Sequence, residues 1–138
     1  ALPLTALRGD FYHWSLLDVP PAMRVIAAGE FSSGITPRGK AAGPGLRQGI
    51  NDYTGWFAGD AAMAGDYYGY DGPCPPWNDE RIHHYIFRLY ALDVPQLALP
   101  GRFTGQQAHA ALYGHILDEA QLVVAYSLNP ELALTLKK

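Results

Sequence analysis

The run Gly72–Asp93, GPCPPWNDERIHHYIFRLYALD, decides how this chain is read. Its second half, continued as IHHYIFRLYALDV, is rich in branched and aromatic residues and predicts the best strand in the sequence. Alternation puts His83, Tyr85, Phe87 and Leu89 on one face, with His84, Ile86, Arg88 and Tyr90 on the other. Large groups on both faces predict a central strand, covered at least in part on both sides. The first half is a stiff loop. Pro73, Pro75 and Pro76 have no backbone N–H, so Cys74 alone in PCPP can donate from its main chain. One Xaa–Pro bond there is open to the cis form. The run reads as a rigid wall with a single polar outlet, or as a proline-rich turn that only ends a strand.

His83 and Tyr85 fall roughly 7 Å apart along one strand face. An imidazole and a phenol together offer two donors without a permanent positive charge, which suits a phosphate or carboxylate. A strand end whose polar residues merely meet solvent is the alternative.

Upstream, FYHWSLLDV predicts a strand from Phe11 to Val19, stopped by Pro20 and Pro21. The next residues, AMRVIAAG, fit one helical turn or an irregular link. Residues 31–69 are dense in glycine and carry no sustained period, so they read as a long loop of the functional or self-packed kind. Tyr53, Trp56, Phe57, Tyr67 and Tyr68 favour packing over disorder. Downstream, TGQQAHAALYGHIL predicts the one good helix, with Thr104 as N-cap and Ala108, Leu112 and Ile116 along one face. Asp118 and Glu119 beside His115 read as solvated capping and turn chemistry. AQLVVAYSL is a closing strand, ended by Asn129-Pro130. With no internal repeat and no linker, residues 1–138 read as one domain.

Composition narrows the function classes. Nearly half the 138 residues (49%) are hydrophobic, enough for a single core. Ten Lys+Arg against thirteen Asp+Glu leave a net charge of −3 and no basic block, which argues against binding along a nucleic-acid backbone. No apolar run is long enough to cross a membrane. The start, ALPLTALRGD, is not an intact signal peptide. A lone cysteine excludes an internal disulfide and fits the cytoplasm, with the periplasm or secretion after signal removal left open. Fifteen glycines and eleven prolines point to a loop-rich, mainly β fold.

The remaining polar residues give weaker signals. His13, between Tyr12 and Trp14, fits a hydrogen-bonded core residue better than a ligand group. Metal binding needs three or four ligands in close geometry. No H-x-x-x-H or C-x-x-C occurs, and His83 and His84 point to opposite strand faces, so neither a metal nor another cofactor is expected. Cys74 as a nucleophile would need a base such as His83 and a partner for the developing charge. No G-x-S-x-G, P-loop or dinucleotide fingerprint is present.

Taken together, FYHW, YDGPCPP and HHYIFRLYALD resemble the phosphatidylethanolamine-binding protein family, also called Raf kinase inhibitor-like proteins, and its bacterial and archaeal branch above all. The resemblance runs from Gly9 to about Asn129 and extends to GHILDEAQLVVAYS. It implies an antiparallel β-sandwich with a long glycine-rich loop region and a C-terminal helix followed by a last strand. It also implies a shallow anion pocket at the ends of the sheet. His13 matches the family's early pocket histidine. His83 and Tyr85 match the family's His-Arg-Tyr triplet, with His84 where arginine is commoner. Pro75 and Pro76 match its proline lining, and Cys74 stands at the rim.

One departure matters: the family's Asp-Pro-Asp-x-Pro motif, whose first aspartate lines the pocket, is absent, as are the strands before it. An additional N-terminal segment supplying that aspartate is therefore expected. The expected function is non-enzymatic binding of a small phosphate-bearing or other anionic group, with a regulatory role towards a kinase or protease. A homodimer is one assembly open to it. The alternatives are a hydrolase or transferase using Cys74 or His83, and an interaction module whose pocket is vestigial.

Overall fold

The alternating run after the proline loop forms one half of the longest strand pair in the molecule. The computed structural model describes residues 10–33, 37–39 and 46–136. In chain order its elements are β1 (Leu16–Leu17), β2 (Arg47–Gln48), α1 (Tyr53–Trp56), β3 (His83–Leu92), α2 (Gly105–Ala111), β4 (Ile116–Tyr126) and α3 (Pro130–Leu136). They divide between two compact units. A loop unit comprises Phe11–Gly72 and Leu92–Ile116, and a strand unit comprises Pro73–Ala91 with the residues from 117 onward. Strand residues outnumber helical ones, so the class is mainly β.

In the loop unit, the expected strand from Phe11 to Val19 shrinks to Leu16–Leu17, paired antiparallel with Arg47–Gln48. Two side chains account for this. Asp52 Oδ2 accepts the Tyr12 N–H at 2.8 Å, and the Tyr12 carbonyl accepts the Asp52 N–H at 2.9 Å, replacing a strand ladder with a local clasp. At the other end Asp18 turns the chain at φ 59°. Its carboxylate is bonded to Arg47 Nε at 2.5 Å and accepts the Leu97 N–H at 3.1 Å. Arg47 Nη1 and Nη2 donate to the Leu99 and Leu97 carbonyls, at 2.8 and 2.7 Å. Residues 20–30 form an irregular link with turns at Met23 and Glu30 and no helix.

The core of this unit holds Leu17, Ile50, Tyr67, Leu97, Phe103, Ala108 and Leu112. The glycine-rich segment is ordered by its own packing where it is described. Phe11, Tyr53, Phe57 and Tyr67 form a chain of ring contacts with centroids 4.9–5.9 Å apart, and buried Asn51 donates to the Gly69 carbonyl at 3.0 Å. Gly49 is required by close approach, because a Cβ there would lie 2.6 Å from the Phe103 ring.

The helix forms where expected and ends sooner. Thr104 caps α2, and its hydroxyl accepts the Gln107 N–H while the Gln107 side chain accepts the Thr104 N–H. Ala108 and Leu112 are buried as the periodicity predicts. Ile116 is not on the helix but opens β4. The helix stops because Gly114 takes φ 80°, the left-handed conformation that terminates helices and suits glycine. Asp118 and Glu119 accordingly lie within β4 rather than in a capping turn, and His115 pairs instead with Asp93 at 2.8 Å.

In the strand unit β3 pairs with β4. Contacts step in opposite directions along the two strands: Arg88 meets Gln121, and Tyr85 meets Tyr126. The pair is therefore antiparallel. The expectation of a central, covered strand is corrected here. Among the described residues β3 has β4 as its one partner, and Ile86, Phe87 and Leu89 are exposed. Nor does Asn129-Pro130 end the strand, since β4 already stops at Tyr126. Pro130 instead begins α3, where its missing N–H costs nothing, and Asn129 Oδ1 accepts the Glu131 N–H at 3.0 Å. No helix among the described residues is long and apolar enough to cross a membrane.

Candidate functional site

The proline loop and the start of β3 belong to the strand unit, and one buried carboxylate organises them. Gly72 precedes the loop at φ 80°. Pro75 is buried, Pro76 half-buried, and Cys74 is exposed with a free thiol. All peptide bonds among the described residues are trans. The Pro76 carbonyl accepts the Asp79 N–H at 3.1 Å, which turns the chain back toward β3. Asp79 is 1% exposed, its Oδ1 accepts the Arg81 N–H at 3.0 Å, and its carbonyl accepts from Asn129 Nδ2 at 3.0 Å. Its Oδ2 lies 2.5 Å from His83 Nε2.

His83 and Tyr85 share a face of β3 as alternation requires, with ring centroids 6.4 Å apart and the rings 26° from parallel. Tyr126 of β4 sets its ring edge-on to Tyr85 at 6.5 Å. The His83 side chain is 30% exposed. Its Nδ1 has no hydrogen-bond partner among the described residues. Cys74, Pro75, Pro76, His83 and Tyr85 all belong to the strand unit.

His13 lies in the loop unit and is described with it. Its ring sits 4.6 Å from Phe11 and 5.6 Å from Tyr53, part of the aromatic cluster there. In the strand unit a shallow groove of about 390 Å³ runs between Trp77, Asn78 and Glu80 of the loop and Asn129 with Pro130 and Glu131 of α3. Its two glutamates make it a poor place for an anion.

A family model described as phosphatidylethanolamine-binding protein matches residues 3–127. The chain belongs to the phosphatidylethanolamine-binding protein family. Among its relatives, a UPF0098 protein of Pyrococcus abyssi is 33% identical over 119 residues, covering 86% of this chain and 56% of that protein. A UPF0098 protein of Methanothermobacter thermautotrophicus is 33% identical over 114 residues, covering 83% and 61%. The solved structure of Escherichia coli YbcL, described as a new member of the mammalian PEBP family, superposes with a TM-score of 0.56 at 21% identity. It covers 85% of this chain and 61% of that one, and shows a shared fold. The chain spans about half to three-fifths of the length of these relatives.

Within this family member, Asp79 is the residue that sequence reasoning missed. A signal was present: an aspartate four residues before a histidine, in a loop too short to carry either far. Aspartate is seldom fully buried, and nothing local marks this one for burial.

Proposed function

We propose that this phosphatidylethanolamine-binding protein relative binds a small anionic group, a phosphate or a phosphorylated headgroup, without turning it over. The binding surface is the proline wall of Cys74, Pro75 and Pro76 with His83 and Tyr85. One observation carries the reading: the His83 and Tyr85 rings lie 6.4 Å apart on one strand face, directly after that wall. Membership of a family named for a phospholipid headgroup supports it, and a regulatory role towards a kinase or protease rests on the resemblance alone. The test is titration with inorganic phosphate, phosphoethanolamine and phosphatidylethanolamine vesicles, followed through histidine ring resonances. A response to all three marks the phosphoryl group as the recognised part, whereas a response to the last two alone marks the headgroup. Tyr85→Phe should weaken binding by about 0.5–1.5 kcal/mol, the worth of one hydrogen bond. Identical titrations of wild type and His83→Ala would remove the site.

The Asp79–His83 pair also favours an enzyme reading, because a carboxylate orienting an imidazole is half of a nucleophilic triad. Catalysis needs a nucleophile against the imidazole's free nitrogen and a stabiliser of developing charge as well. Neither stands on His83 Nδ1 among the described residues. A panel of phosphoester and acyl substrates should show no turnover. Reproducible turnover abolished by Cys74→Ala would reverse the choice.

A further inference from the structure

We infer that Asp79 is a positioning residue that fixes the His83 tautomer, so that an oxyanion is bound at His83 only together with a proton. The inference rests on the anion-binding reading and states its regulation. Asp79 is buried and tethered three ways through its N–H, its carbonyl and Oδ1. Its orientation is therefore set by the loop, not by His83. Oδ2 then faces Nε2 at 2.5 Å. A carboxylate that already accepts the Arg81 N–H can only accept again, and imidazole takes up a proton well before a carboxylate does. Nε2 must then carry the hydrogen. The hydrogen bond made by one ring nitrogen decides the state of the other. In the neutral ring Nδ1 is a bare lone pair.

This changes what the site offers. Two neutral donors were expected from the sequence, yet a neutral His83 turns an acceptor toward an approaching anion and repels it. Protonation converts Nδ1 into an N–H donor and adds a positive charge in the same step. No covalent chemistry is involved: one proton from solvent enters with the anion and leaves with it. The other titratable or charged groups in the surrounding segments are Cys74, Glu80 and Arg81 of the loop, His84 and Tyr85 of β3, and Tyr126 of β4. None of them is hydrogen-bonded to Nδ1 among the described residues.

Sulfate is the probe of choice, because it has no proton to lose near neutral pH and phosphate does. Long-range ¹⁵N spectra of the folded, ligand-free protein at pH 8 should show His83 as the Nε2–H tautomer. Sulfate affinity should fall as pH rises, by up to about tenfold per pH unit, the slope for one linked proton. Asp79→Asn supplies a sharper readout than loss of structure. The Arg81 N–H keeps the amide oxygen at Oδ1, which leaves the amide N–H₂ facing Nε2. His83 should then switch to the Nδ1–H tautomer and bind sulfate with a flattened pH profile. An Nδ1–H tautomer in the wild type, or sulfate binding at His83 with no pH slope, overturns the inference and leaves the anion site standing. If neither sulfate nor phosphate perturbs His83 between pH 5.5 and 8.5, the anion site itself falls and the proton coupling with it. The wild-type spectrum decides the tautomer even if the Asp79→Asn variant does not fold.

Discussion

Arg102 and Asp66 meet on the surface of the loop unit through two parallel bonds, Nε to Oδ2 at 3.0 Å and Nη2 to Oδ1 at 2.9 Å. The hydrogen bond from Arg102 holds the Asp66 carboxyl below the usual carboxylate value, against a small opposing effect of desolvation. A carboxyl whose folded value is depressed stabilises the fold above its unfolded value, and that contribution is lost as pH falls through the folded one. Such exposed pairs contribute little. Arg102→Ala should therefore move the Asp66 titration back up toward the ordinary carboxylate range and leave neutral-pH stability nearly unchanged. Carboxyl ¹³C shifts across the acid range check this, and an unmoved Asp66 would mean that the pair does not persist in solution. Asp79 shows the limit of single-residue reading. PCPP, His83 and Tyr85 were legible because proline chemistry and alternation act over neighbours in sequence. The tautomer of His83 was not, since it depends on a buried aspartate whose backbone carbonyl is held by Asn129, fifty positions away.

The cap on α2 gives the clearest test at the scale of an element. Thr104→Ala removes a hydroxyl that accepts the Gln107 N–H at 3.1 Å and should cost about 0.5–2 kcal/mol in urea denaturation. Gly105→Ala is more discriminating. Helix propensity alone favours alanine by about 1 kcal/mol. A Cβ at Gly105, however, would lie 2.4 Å from the Tyr12 ring, a contact that something must move to relieve. Net destabilisation is expected, and a stabilised variant would show that Tyr12 does not approach α2 so closely. The same helix explains which elements were legible. Thr104, Ala108 and Leu112 gave start and face, because capping and periodicity are local. The overrun to Ile116 came from weighing periodicity above Gly114, which was itself a stop signal. The strand from Phe11 to Val19 failed for a different reason: the Asp52 side chain takes the Tyr12 N–H at one end and Asp18 turns the chain at φ 59° at the other, and no propensity scale counts those.

For the whole molecule, the β3–β4 ribbon poses the largest demand. Leu89 and Leu122 are 67% and 61% exposed, and Ile86 and Leu117 are 50% and 69% exposed. In each strand the two residues named differ in parity, so apolar groups stand uncovered on both faces of the ribbon. A lone two-stranded ribbon is marginal in water, and contiguous apolar surface of this kind signals a partner. Among the described residues no further strand pairs with its outer edges, which leaves backbone groups there for a partner. Further strands are an occupant that fits, and relatives matched over nearly the same span are longer: this chain covers 56% and 61% of two of them. The 138 residues alone should self-associate in sedimentation and bind a dye of exposed apolar surface. Substituting Leu89 and Leu122 with lysine should reduce that self-association, because both are exposed apolar groups. A 15.1 kDa monomer that unfolds cooperatively and binds no dye would show that the ribbon needs no cover.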